Sequence, residues 1–234
     1  MTDPALSESL TAVRERLAAA LHAAGRPDDD ARLLAVSKTK PAAMIREAWR
    51  LGQREFGENY VQEALDKQAE LADLDDIVWH FIGPLQSNKS RIVAEHFAWI
   101  HSVDRERLAR RLDAQRPASL GPLNVCLQVN ISDEASKSGI SLAELPALAE
   151  AVHGLPNLRL RGLMAIPAPC ADPDEQRRPF IRLREALESL HTQLPEAPLD
   201  TLSMGMSGDL EAAVMEGATL VRLGTAIFGA RQRP

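Results

Sequence analysis

Aromatic rings are scarce in this chain: five Phe, three Trp and a lone Tyr among 234 residues. A platform that stacks single-stranded bases needs a row of such rings, so that class is disfavoured. Basic charge is not in excess either. The 27 Lys and Arg against 33 Asp and Glu leave a net charge of -6, which argues against a general nucleic-acid binder. No run of about eighteen apolar residues occurs, so no membrane-spanning helix is expected. The opening Met1-Thr2-Asp3-Pro4, followed by Glu8, Arg14, Glu15 and Arg16, interrupts the apolar stretch that a secretory signal requires. The two cysteines, Cys126 in an apolar run and Cys170 after Pro169, have no C-x-x-C spacing, and idle thiols in a reducing cytoplasm are the simplest reading.

What remains is an ordinary globular balance, 45% hydrophobic and 26% charged, with enough chain to bury a core without disulfide or zinc staples. The length fits one domain over residues 1–234. Apolar spacing of three and four (Leu6, Leu10, Val13, Leu17, Leu21) predicts a leading amphipathic helix over 5–24. Strand and helix signals then alternate. Strands are expected at 33–37, 54–57, 77–82, 99–103, 124–131 (the longest), 158–166, 201–204 and 220–223. Helices are expected from Pro41, over 60–71, 89–96, 104–114, 141–152, about 180–194 and about 209–216, with 167–179 the most polar connection. Eight strands alternating with helices predict an α/β architecture, a (β/α)8 TIM-like barrel with an extra N-terminal helix. No G-x-G-x-x-G follows the first strand, which weakens the doubly wound alternative.

In such a barrel the chemistry gathers where strands end. Strand one ends in Ser37-Lys38-Thr39-Lys40. Most lysines there are solvated, but one held at the mouth and partly desolvated becomes a nucleophilic amine suited to imine formation. Lys40 is a rival; it precedes Pro41 at the helix start, and Lys38 is the better placed. After strand seven, Ser207-Gly208-Asp209 opens a helix, either as a plain cap or as an anion cradle. Gly224-Thr225 after strand eight offers a second cradle beside it, and loops seven and eight form the recurrent phosphate site of this architecture. Strand alternation points Arg222 inward with Leu220 and Gly224, where it requires an acceptor from a salt bridge or a ligand. An amine opposite an anion cradle suggests a phosphorylated aldehyde.

The blocks Leu34 to Pro41, Phe56-Gly57-Glu58-Asn59-Tyr60-Val61-Gln62-Glu63, Trp79 to Lys89, Asn130-Ile131-Ser132 with Ser136-Lys137-Ser138-Gly139, Arg161 to Pro167 and Leu202 to Arg231 together resemble the bacterial pyridoxal phosphate homeostasis protein family, nearly end to end. The resemblance implies a barrel like the N-terminal domain of alanine racemase, with pyridoxal 5′-phosphate (PLP) held as an imine on Lys38. It implies a phosphate held by Ser207, Gly208, Gly224 and Thr225, Arg222 near the pyridine nitrogen, and Asn59 beside the ring. It further implies a cytoplasmic carrier or regulator of vitamin B6 and amino-acid balance, with apo PLP-dependent enzymes as candidate partners.

A weak racemase and a phosphate-sugar aldolase using Lys38 are the competing readings. A permanent cation at the ring nitrogen weakens the electron sink, and the lone Tyr60 after strand two is expected to pack or hydrogen-bond at the mouth rather than act as a second base. Lys89 and Lys137, in loops after strands three and five, are either solvated or guides for the phosphate. His80 is expected to be a hydrogen-bonded core residue, and His96 and His101 straddle a helix-to-strand junction unsuited to a metal pair. No exposed apolar stripe stands out, so a monomer is expected.

Overall fold

Short runs of Leu, Val, Ile and Phe bounded by polar turns form eight parallel strands, each followed by a helix whose apolar stripe covers the sheet. The computed structural model describes residues 4–135 and 138–230. The strands are β1 (Arg32–Val36), β2 (Glu55–Glu58), β3 (Val78–Phe81), β4 (Trp99–Val103), β5 (Leu123–Gln128), β6 (Leu158–Met164), β7 (Thr201–Ser203) and β8 (Leu220–Leu223). They pair in sequential order, and β8 pairs back onto β1 with Leu34 opposite Arg222, closing the barrel. The expected (β/α)8 architecture is the observed one.

The helices are α1 (Pro4–Ala23), α2 (Ala42–Arg50), α3 (Val61–Glu70), α4 (Ser90–His96), α5 (Glu106–Gln115), α6 (Leu145–His153), α7 (Pro173–Gln193), α8 (Leu210–Met215) and α9 (Thr225–Phe228). The leading helix α1 buries Leu6, Leu10, Val13, Leu17 and Leu21 and packs against α8 and α9, bracing the barrel where its first and last strands meet. Most of the core lies between strands and helices. It includes the fully buried Phe56, Phe81, Ile100, Leu108 and Phe180.

Inside the barrel the apolar content divides into two small patches. One is Leu34, Ile82 and Leu220; the other is Trp99, Cys126 and Met164. Burial pushes the Cys126 thiol up to about 12, so it stays protonated and behaves as a small hydrophobe. Between the two patches lie His80, His101, Ser203 and Arg222, all buried.

Three elements depart from the sequence expectations. The longest strand is β6, not β5: pairing of β5 ends at Gln128, and Val129 adds only an isolated bridge to Ile140. Helix α7 begins at Pro173 rather than near 180, and therefore takes up half of the segment read as a polar connection. Asp172 caps it by accepting from the Asp174 N–H at 2.9 Å and Pro173 fills the first turn, a start signal that outweighs Pro179 in the interior. Ser207-Gly208-Asp209 is a turn, and α8 starts only at Leu210.

Candidate functional site

The carboxyl ends of β1, β2, β3, β6, β7 and β8 surround a cavity of about 270 Å³, near the roughly 300 Å³ at which small-ligand pockets begin. Lys38, Asn59, Ser207, Arg222, Gly224 and Thr225 all line it. Gly208, the remaining expected site residue, lies outside the lining; a Cβ added there would meet nothing within 4 Å. Thus six of the seven residues singled out from sequence converge on one cavity, drawn from the first, second, seventh and eighth βα junctions.

Lys38 is half-buried, one position past Ser37, and continues the inward face of Leu34 and Val36. The next residue, Thr39, has φ +65°, a left-handed conformation that is costly for a β-branched side chain. Two contacts impose it: the Thr39 N–H donates to Glu63 Oε1 at 2.6 Å, and the Lys40 N–H donates to the Ser37 carbonyl at 3.1 Å. Beneath this turn lies a buried ion pair. Lys67 Nζ donates to Glu58 Oε1 and to the Ser37 carbonyl, both at 2.7 Å, and reaches Glu63 Oε1 at 3.1 Å. Ser37 Oγ donates to Glu58 Oε2 at 3.0 Å. Burial raises the pKa of Glu58, against the attraction of Lys67.

This clamp fixes the backbone on both sides of Lys38, and sequence reasoning missed it. A signal existed: Ala64, Lys67 and Leu71, spaced by three and four, put a lysine on the buried stripe of α3. Lys40, the rival amine, also lines the cavity but donates to the Ala230 carbonyl at 2.8 Å.

Across the cavity, Arg222 is 5% exposed. Its Nη1 donates to Ser203 Oγ at 2.6 Å and its Nη2 to the Ala165 carbonyl at 3.0 Å. Burial lowers its pKa to about 10, which leaves it a cation at neutral pH. The acceptor is therefore a hydroxyl and a carbonyl, not the salt bridge considered from sequence.

Gly224, just past β8, lies close against β1: a Cβ there would come within 3.1 Å of the Val36 carbonyl oxygen. Ser207 caps no helix, since the cap of α8 is Asp209, whose Oδ1 accepts from the Met206 N–H at 2.7 Å. The Ser207 carbonyl is anchored from α1 by Arg16 Nη2 at 2.8 Å, while Arg16 also pairs with Glu211 at 2.7 Å. Asn59 Oδ1 is buried without a hydrogen-bond partner. Because an amide's oxygen and nitrogen exchange by a half-turn, a ligand donor or acceptor would satisfy that position.

Tyr60 is 52% exposed and lines a neighbouring cavity of about 580 Å³ together with Lys89, Arg105 and Gln128, not the cavity of Lys38. Lys89 is exposed there, and Lys137 lies outside the described residues. His80 is buried and hydrogen-bonded, as expected from sequence.

A closed parallel barrel with a lysine after its first strand and a hydroxyl-lined, cationic pocket after its last two defines the alanine racemase N-terminal domain class, and the family model of that description matches residues 9–232. The chain is 64% identical over 226 residues to the pyridoxal phosphate homeostasis protein of Pseudomonas aeruginosa, covering 97% of this chain and 96% of the relative. It is 57% identical over 228 residues to that of Escherichia coli, with 97% of each covered. PipY of Synechococcus elongatus, solved with PLP bound, superposes with a TM-score of 0.85 at 43% identity over 96% of this chain and 100% of that one. Alanine racemase of Corynebacterium glutamicum shares the fold at 18% identity, with a TM-score of 0.71 over 94% of this chain and 62% of that one. The chain belongs to the pyridoxal phosphate homeostasis protein family.

Proposed function

We propose that this chain binds PLP covalently on Lys38 and serves as a carrier or regulator in PLP homeostasis, without conventional turnover. The observation that carries the reading is the convergence of Lys38, Asn59, Ser207, Arg222, Gly224 and Thr225 on one cavity. The orphaned buried amide of Asn59 and a guanidinium with donors to spare suit a polar, anionic ligand. The PLP-bound structure of PipY supports the choice of ligand. When bound, the cofactor supplies an aldehyde and an electron-withdrawing pyridine ring.

Lys38 would hold the cofactor through its amine, the group at this cavity suited to condense with an aldehyde with loss of water. The clamp of Glu58, Lys67 and Glu63 holds the backbone from which Lys38 reaches inward. Ser207, Gly224 and Thr225, with Gly208 beside the lining, would hold the phosphate through hydroxyls and backbone N–H groups. Arg222 would face the ring nitrogen, where its permanent cation would disfavour protonation.

The non-catalytic half rests on what surrounds Lys38. Among the described residues lining the cavity there is no histidine, tyrosine, cysteine or carboxylate to act as a second acid or base. The residue beyond Lys38 with an amine, Lys40, is engaged by the Ala230 carbonyl. Apo PLP-dependent enzymes are the recipients this role calls for.

The test is borohydride reduction after adding PLP, followed by peptide mapping. A pyridoxyl adduct on Lys38, and loss of the visible chromophore in Lys38→Ala, are the expected results. An adduct on another lysine overturns the assignment. Incubation with L- and D-amino acids in deuterium oxide tests the second half: Cα exchange with turnover would establish the racemase alternative instead.

A further inference from the structure

The barrel interior holds a continuous row of hydrogen bonds running from its base to the cavity. At the base, Glu55 Oε1 lies 3.2 Å from His80 Nε2. His80 Nδ1 lies 2.9 Å from His101 Nε2, and His101 Nδ1 lies 2.7 Å from Ser203 Oγ. Ser203 Oγ then accepts from Arg222 Nη1 at 2.6 Å. The five side chains come from five strands, β2, β3, β4, β7 and β8. They pass between the two apolar patches of the interior.

The chemistry of the groups allows one direction of donation. Glu55 is held ionised: burial works to raise its pKa, but hydrogen bonds from His80 and Arg32 outweigh it and hold the carboxylate down at about 2. It can therefore only accept, and His80 Nε2 must carry a proton. Burial lowers the pKa of both histidines, so each ring carries one proton. His80 Nδ1 is then an acceptor, and His101 Nε2 donates to it. His101 Nδ1 must in turn accept, and the proton comes from the Ser203 hydroxyl. Ser203 is left with its lone pairs, which receive Arg222. Reversing the row would set two lone pairs against each other at Glu55. Every donor thus points from the buried cation at the mouth toward the carboxylate at the base, with two neutral rings and a hydroxyl between.

We propose that Ser203, His101, His80 and Glu55 are positioning residues for Arg222. By fixing the acceptor that Nη1 must meet, the row sets the rotation of the guanidinium plane and hence which donors face the cavity. The proposal rests on the PLP reading for the identity of what Arg222 faces; the direction of the row does not depend on it. A group serving only to fill the core polarly would affect stability and leave the bound ligand unchanged.

Two measurements test this. In the unaltered protein with ¹⁵N-labelled histidine, NMR at neutral pH should show His80 and His101 both as neutral rings protonated at Nε2. An Nδ1–H tautomer or a charged ring at either position overturns the proposal, whatever happens with PLP. The second uses PLP and the visible spectrum of the bound chromophore. Ser203→Ala, which removes the acceptor, should bind PLP about tenfold more weakly, as expected for losing a hydrogen bond to a charged group, and should shift the absorption maximum.

Ser203→Thr, which keeps the hydroxyl, should restore both. Glu55→Gln, remote from the cavity, should shift the maximum in the same sense by a smaller amount. Folded variants with lowered melting temperature but the parent's affinity and spectrum overturn the proposal. Failure of the PLP reading itself would appear differently, as a parent protein that forms no chromophore on Lys38.

Discussion

The two ends of the barrel are built on opposite principles. At the base, charged groups find partners within the chain. Arg32 pairs with Glu55 at 2.8 Å, and Arg161 pairs with Asp200 at 2.8 Å, donates to Asn124 Oδ1 at 2.9 Å and lies 4.7 Å over the Trp99 ring. At the mouth, hydrogen-bonding capacity is left over. The two buried side-chain atoms without a partner among the described residues, Asn59 Oδ1 and Asn130 Oδ1, both follow the carboxyl ends of strands, β2 and β5. Buried polar groups are normally satisfied, so an unsatisfied pair confined to one end marks the end where a ligand or partner completes the structure. The base is organised for stability and the mouth for binding.

The comparison can be broken most forcefully at the one place where the two purposes meet, the clamp under Lys38. Lys67→Met removes the cation from a buried carboxylate, a change that typically costs about 3–5 kcal/mol. It should also release Thr39 from its left-handed turn, so PLP affinity should fall together with the chemical denaturation midpoint. Retention of affinity in a destabilised Lys67→Met protein would show that the clamp belongs to the base in purpose.

A matched pair sharpens the division. Arg161→Ala should cost about 1.5–3 kcal/mol by denaturant titration, because its contacts are charge-assisted and partly buried, with PLP affinity unchanged. Ser207→Ala should do the reverse, keeping stability within about 0.5 kcal/mol while weakening PLP binding several-fold. Equal effects of both variants on both readouts would erase the distinction.

Acid tests the row that joins the two ends. His80 and His101 stay neutral in the fold, whereas in the unfolded chain they protonate as the pH falls through 6.5. The unfolded state then binds more protons, so stability rises with pH across this window and declines below it, by up to roughly 1.4 kcal/mol per pH unit for each ring. Glu55 adds to the loss between its ordinary value of 4.5 and about 2, where its proton returns in the fold as well. A denaturation midpoint that does not change from neutral pH to pH ~5 would contradict neutral buried rings.

How much of this was legible in the sequence follows from the range over which each feature is determined. Strands β4 and β8 occupy the residues read from sequence, 99–103 and 220–223, because their apolar runs are sharply bounded by polar turns. Helix α7 starts earlier than expected because the polar composition of 167–179 reads as a connection, whereas Asp172 caps a twenty-one-residue helix in which Pro179 costs one N–H. Lys38 was read from its place at the end of strand one, and Arg222 with Gly224 from strand alternation; both are local information, and the three residues line one cavity. The clamp and the row were not. Ser37 meets Lys67 across thirty positions and His101 meets Ser203 across 102, contacts that exist only once the barrel has closed.

That closure has a further consequence. Lys38 stands just past the end of the first strand, Arg222 on the last and Gly224 just beyond it, so the pocket straddles the seam where the two ends of the sheet join. Contacts of such wide sequence separation are slow to form. A ligand bonded to one side of the seam and hydrogen-bonded to the other acts as a removable stitch. Loading the protein with PLP should therefore slow its unfolding, which unfolding rates measured with and without PLP would check.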